Sequence, residues 1–67
     1  MIPPEQIEQM KEKFLGKRIV FKTHNGNRWV GKCTFLGHNE YLPSWGFQVT
    51  IDRLPLPHVI PDTIELF

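Results

Sequence analysis

The tetrad His24-Asn25-Gly26-Asn27 separates two runs in which apolar and polar side chains alternate, and this arrangement constrains the fold most. Alternation places successive side chains on opposite faces of a strand, and Asn-Gly between two such runs is a strong hairpin signal. Asn25 and Gly26 fit the two left-handed positions of a type I′ turn. Before the turn, Ile19 and Phe21 share one face while Arg18, Val20 and Lys22 share the other. In the returning run, Trp29, Gly31, Cys33 and Phe35 alternate against Arg28, Val30, Lys32 and Thr34. Gly31 in mid-strand marks a bend or a close backbone approach, which a tightly curled barrel requires.

Upstream the period is helical. Ile7, Met10, Phe14 and Leu15 form one apolar stripe, Pro3 and Pro4 suit a helix entry, and Gly16 suits a left-handed stop. Downstream, Gly37 to Ser44 is a polar loop. A third alternating run then sets Trp45, Phe47, Val49 and Ile51 against Gly46, Gln48, Thr50 and Asp52. Arg53 to Pro57 carries two prolines and reads as a turn or edge segment. The expectation is a mainly β chain forming a single domain over residues 1–67. A helix at about 4–15 precedes strands at about 17–23, 28–36, 45–51, 57–60 and 63–67. Together these form a five-stranded, strongly bent antiparallel SH3-like small barrel.

A chain of 67 residues has a modest core and is marginal alone. Cys33 is the single cysteine, so no internal disulfide forms, and a reducing compartment is the easier home. His24, His38 and His58 lack the close ligand partners that zinc requires, so neither a metal nor another cofactor is expected. Self-association remains as the support. Eight Lys and Arg against seven Asp and Glu leave a net charge of +1, which does not suit a binder of duplex phosphates. No apolar run approaches the ~20 residues of a membrane span, and the expected location is the cytoplasm.

No nucleophile elbow, phosphate loop or paired-carboxylate pattern appears, and the chain does not read as an enzyme. Cys33 alternates in phase with Trp29 and Phe35 and reads as an inert core thiol. Arg18, Lys22, Arg28 and Lys32 share the polar face of the first hairpin, and His38, Asn39 and Tyr41 lie in the loop after it. An aromatic ring, an amide and an imidazole can stack on and read an unpaired base. The same cations also read as a solvated face, and the same tyrosine as one packed on its own barrel.

The helix, the run Gly16-Lys17-Arg18-Ile19-Val20-Phe21, and Asn25-Gly26-Asn27-Arg28-Trp29-Val30-Gly31 together resemble the first motif of Sm and Sm-like proteins. The spacing of Gly26 and Gly31 carries that resemblance. At the family's RNA-contacting positions this chain has Gly37-His38-Asn39-Glu40-Tyr41 and Pro61-Asp62. The resemblance implies a homo-oligomeric ring of about five to seven subunits, closed by pairing the fifth strand of one copy with the fourth of the next. His58, Val59, Ile60, Thr63, Ile64, Leu66 and Phe67 would form that interface. It also implies single-stranded RNA as ligand, in RNA processing or chaperoning. His38, Asn39 and Tyr41 would contact bases, Arg28 and Lys32 phosphates, with Pro61 and Asp62 at the pore. The alternative is an SH3- or Tudor-like interaction or structural module without nucleic acid, holding a peptide on Trp29, Trp45 and Tyr41.

Overall fold

The computed structural model describes residues 2–67. Helix α1 spans Pro4–Phe14. Pro4 opens it without a wasted donor, and Gln6 and Ile7 donate their amides to Pro3 O at 3.0 and 3.2 Å. Met10 and Phe14 are buried and Ile7 is half-buried. Leu15, expected on the same stripe, is instead 43% exposed, because the chain is already extended there. Gly16 follows with φ +81° and donates its amide to Cys33 O at 2.7 Å, tying the helix end to the sheet.

Strands β1 (Arg18–Lys22) and β2 (Arg28–His38) pair in antiparallel register, from Arg18 opposite Lys32 to Lys22 opposite Arg28. The turn between them is not type I′. Gly26 alone has positive φ (+87°), Gly26 N donates to Thr23 O at 2.9 Å, and Thr23 N donates to Asn27 O at 3.0 Å. This is a three-residue loop, His24-Asn25-Gly26, with its glycine in the left-handed position. Asn25 uses its side chain instead, accepting from the buried Thr23 hydroxyl.

Strand β3 covers Phe47–Ile51 and pairs with β2. It starts later than the alternation predicts, because Trp45 closes a 3-10 turn (Pro43–Trp45) and Gly46 reverses at φ +63°. Strand β4 is Leu54–Leu56, not 57–60. Asp52, at φ +54°, and Arg53 turn the chain at once, and Leu54 pairs back with Ile51. Pro55 is tolerated because β4 lies at the sheet edge. Residues 57–60 form no strand, and Val59 makes only an isolated bridge to Thr23. A second 3-10 turn at Pro61–Thr63 leads into β5 (Glu65–Leu66), which pairs with β1.

The result is a five-stranded antiparallel sheet in the order β4-β3-β2-β1-β5, with open ladders. Residues 58–60 cross the gap between β1 and the start of β3 on single hydrogen bonds. His58 N donates to Trp45 O and Val59 N to Phe47 O, while Ile60 N donates to Lys22 O, at 2.9, 3.0 and 2.9 Å. Inside this curl, Ile19, Phe21, Cys33, Leu36, Val49 and Val59 have almost no exposed surface. Burying such side chains contributes about 1.5–3 kcal/mol each, which holds the curl together.

Candidate nucleic-acid interface

The outer face of the β1–β2 hairpin is built from three cross-strand pairs. Arg18 faces Lys32, Val20 faces Val30, and Lys22 faces Arg28. All four cations are exposed, and among the described residues the recorded ion pair is elsewhere, Lys11 with Glu8 at 3.6 Å. Like charges set directly opposite destabilise a ladder. Glu65 of β5 stands opposite Val20, and Arg18 leans over the ring of Phe67 at 5.4 Å.

A β-bulge decides what continues this face. Cys33 pairs with Ile51 and Phe35 with Thr50, so Thr34 is one residue too many on β2. The Thr34 hydroxyl lies 3.2 Å from Thr50 O and 3.0 Å from Asp52 O, which holds the bulge in place. Beyond it the phase inverts. Leu36 enters the core at 0% exposure, and Phe35, expected inside with Cys33, is 40% exposed. Arg28, Lys32, Thr34 and Phe35 thus follow one another along the solvent side of a single strand.

Past Phe35 lies an open hollow of about 420 Å³, lined by Phe35, His38, Asn39, Glu40, Tyr41 and Gln48. Tyr41 stands at its lip, 93% exposed. His38 is half-buried with its ring edge-on to Phe47 (centroids 5.8 Å apart, planes at 87°), and its Nε2 is shielded without a partner. Asn39 organises the loop. Its Oδ1 accepts the amides of Tyr41 and Leu42 at 2.9 and 2.7 Å, and its Nδ2 donates to Gln48 Oε1 at 2.6 Å. Gln48 is buried and passes the chain on, Nε2 donating to Thr50 Oγ1 at 3.1 Å.

Three of the sequence-derived residues, His38, Asn39 and Tyr41, therefore meet in one hollow. Asn39 fills its acceptor with backbone amides, so it shapes the loop rather than offering that oxygen to a base. Arg28 and Lys32 lie on the adjoining strand face, and Arg28 borders a separate depression with Lys22, Thr63 and Glu65. Pro61 borders a depression at the helix side together with Phe14 and Ile64, and Asp62 is exposed; neither lines the hollow. The structure adds Phe35 and Gln48 to the hollow, and gives a place in it to Glu40, which the resemblance set among the RNA-contacting positions without a role. Strict alternation carries Phe35 inward, and the bulge reverses that; Gln48 keeps its outward phase with Thr50 but is buried there at the floor of the hollow, bonded to Asn39.

Of the residues expected between copies, Val59 and Ile64 are buried at 1% and 6% exposure, so their side chains belong to this chain's own core. Ile60 and Thr63 are half-buried, with the Thr63 hydroxyl donating to Ile60 O at 2.7 Å, and His58 is exposed. Leu66 and Phe67 are exposed at the β5 edge, although Phe67 N is tied to Arg18 O at 2.9 Å. The opposite edge is β4, where Leu54 is exposed.

Trp29 and Tyr41 lie in different hollows, and the half-buried Trp45 borders neither. The cleft at Trp29, about 390 Å³, is lined by His24, Pro57 and His58 among others, and the indole Nε1 is shielded without a partner. Cys33 is fully buried, with Sγ 3.6 Å from Phe35 O, and burial pushes its thiol pKa up. No cluster of His, Cys, Asp and Glu among the described residues is disposed to hold a metal ion. No helix among them is long and apolar enough to cross a membrane. No family model, curated protein or solved structure matches the chain.

Proposed function

We propose that this chain is an Sm-like protein that binds single-stranded RNA along the outer face of β2. The reading rests on one observation: the Thr34 bulge brings Phe35 out onto the strand face that carries Lys32 and Arg28, next to the loop of Tyr41. Backbone-tracking cations followed by exposed rings are the arrangement that unpaired strands use, phosphates on the cations and bases on the rings. An anionic strand would also relieve the repulsion between Arg18 and Lys32 and between Lys22 and Arg28.

The assembly in this reading is a homo-oligomeric ring of about five to seven copies, in which the β5 edge of one copy pairs with the β4 edge of the next. Both edges carry exposed apolar side chains, Leu54 on β4 and Leu66 with Phe67 at β5. Ring pairing would cover them and supply the stability that a short chain lacks.

Light scattering with and without a short mixed-sequence RNA tests both parts. A closed multi-subunit particle that gains mass on adding RNA supports them, and an RNA-indifferent monomer of 7.9 kDa defeats them. A second reading, a peptide-binding module, is favoured by the Trp29 cleft with its unpartnered indole N–H. Salt separates the two. Each phosphate neutralised on a single strand adds about −0.7 to the slope of log K against log salt, whereas a cleft-bound peptide responds weakly.

A further inference from the structure

We infer that Glu40 selects bases by their hydrogen-bond donors, so that the hollow prefers guanine to uracil. This rests on the RNA-binding reading above. The inference follows from how the polar groups around the hollow are engaged, His38 Nε2 being unpartnered but shielded from it by burial. Asn39 Oδ1 takes two backbone amides, and Asn39 Nδ2 donates to Gln48 Oε1. Gln48 Nε2 in turn donates to Thr50 Oγ1. The two amides that would ordinarily read a base edge are thus turned towards each other and the loop. Glu40 is exposed, has no recorded hydrogen bond or ion pair among the described residues, and is the one carboxylate lining the hollow with Phe35 and Tyr41.

An ionised carboxylate only accepts hydrogen bonds, with two oxygens side by side. In this assignment a base stacked on Phe35 or Tyr41 presents its Watson–Crick edge to the carboxylate that shares the hollow with both rings. Guanine offers two adjacent donors there, N1–H and the N2 amino group, and matches both oxygens. Uracil offers a single N–H flanked by two carbonyls, which face the carboxylate with like partial charge. Adenine and cytosine each offer an amino group beside an acceptor nitrogen and fall between. A cationic side chain from a peptide would also suit a carboxylate between aromatic rings. The cations of the same strand face, Lys32 and farther along it Arg28, suit a phosphate chain that continues from the hollow and not a cationic peptide, so the nucleic-acid occupant is favoured.

The test is fluorescence anisotropy on the full chain with two labelled RNAs, an octauridine and the same strand carrying two guanosines. Both are measured on the parent protein and on Glu40→Gln. The expected result is about tenfold tighter binding of the guanosine strand, the order of one good bidentate contact. That ratio should fall towards one in Glu40→Gln, because the amide replaces one acceptor by a donor. Circular dichroism should show the variant folded, as expected for an exposed loop residue. Equal affinity for both strands, or a guanosine preference that survives Glu40→Gln, overturns the assignment while leaving RNA binding standing. Binding of neither RNA, or capture of an arginine-rich peptide in their place, overturns both.

Discussion

A methyl group placed on Gly31 would stand 3.0 Å from Ile51 Cβ, tighter than such carbons usually pack. Gly31 pairs with Ile19 on one side and lies beneath β3 on the other, where β2 bends across the sheet. Gly31→Ala requires β3 to give by a few tenths of an ångström at Ile51, whose Cβ is fixed to the backbone. Its expected effect is a loss of about 1–3 kcal/mol in urea unfolding. Unchanged stability would mean that the strands do not approach this closely.

Thr34→Ala removes the hydroxyl that lies against Thr50 O and Asp52 O. The expected loss is about 1 kcal/mol. Because the bulge also sets the direction of Phe35, RNA affinity should weaken in the same variant. Thr34→Ser retains the hydroxyl and should restore much of both, which separates this effect from general loosening.

Asn39→Ala leaves the Tyr41 and Leu42 amides without their acceptor and strips the buried Gln48 of a donor. Thermal melting should show a loss of about 1–3 kcal/mol. Asn39→Asp keeps the acceptor for the two amides but sets a carboxylate against Gln48 Oε1, so its stability should fall between the two. Equal melting of all three proteins would show that the loop does not depend on this side chain.

Tyr41→Ala isolates binding from folding. At 93% exposure the ring contributes little to the core, so the melting temperature should not move. RNA affinity should fall by about 1–3 kcal/mol per stacked base. Retained affinity would remove Tyr41 from the interface.

Cys33 gives a pH signature. Burial raises its thiol pKa above the ordinary value of 9.0, so between the two pKa values the unfolded chain has lost a proton that the folded chain retains. Its contribution to stability is therefore complete below the unfolded pKa and declines as pH rises through the folded one. Urea titrations across the alkaline range should show that decline in the parent and less of it in Cys33→Ala. A thiol reagent at neutral pH should label Cys33 only on unfolding.

What was legible in the residues was local. Pro4 at the entry and Gly16 after the end delimit α1, since capping depends on a few adjacent backbone groups. The hairpin at 23–27 was likewise marked by a glycine whose partners lie close in sequence, whereas Gly31 marks a close approach without showing that its neighbours are Ile51 and Asp52. The polar loop that holds Tyr41 was visible as a break in alternation, although it begins later than that break suggests, because β2 runs on through Gly37 and His38 in register with Gln48 and Phe47. The turn type was not, because Asn25 hydrogen-bonds Thr23 in place of taking a left-handed conformation.

One helix, a hairpin-led β pattern and a polar aromatic loop follow from the residues alone, because period, capping and turn chemistry are properties of neighbours along the chain. Tertiary structure alone decided the Thr34 bulge, the outward turn of Phe35, the burial of Gln48 and the choice of Leu54–Leu56 over 57–60 as the edge strand. Each depends on register between strands. Thr34 is extra only with respect to Ile51 and Thr50, and its hydroxyl is held by carbonyls of β3 and the turn after it. Alternation along one strand carries no record of where its partner begins, so the residues that form the candidate interface were settled by pairing across the sheet.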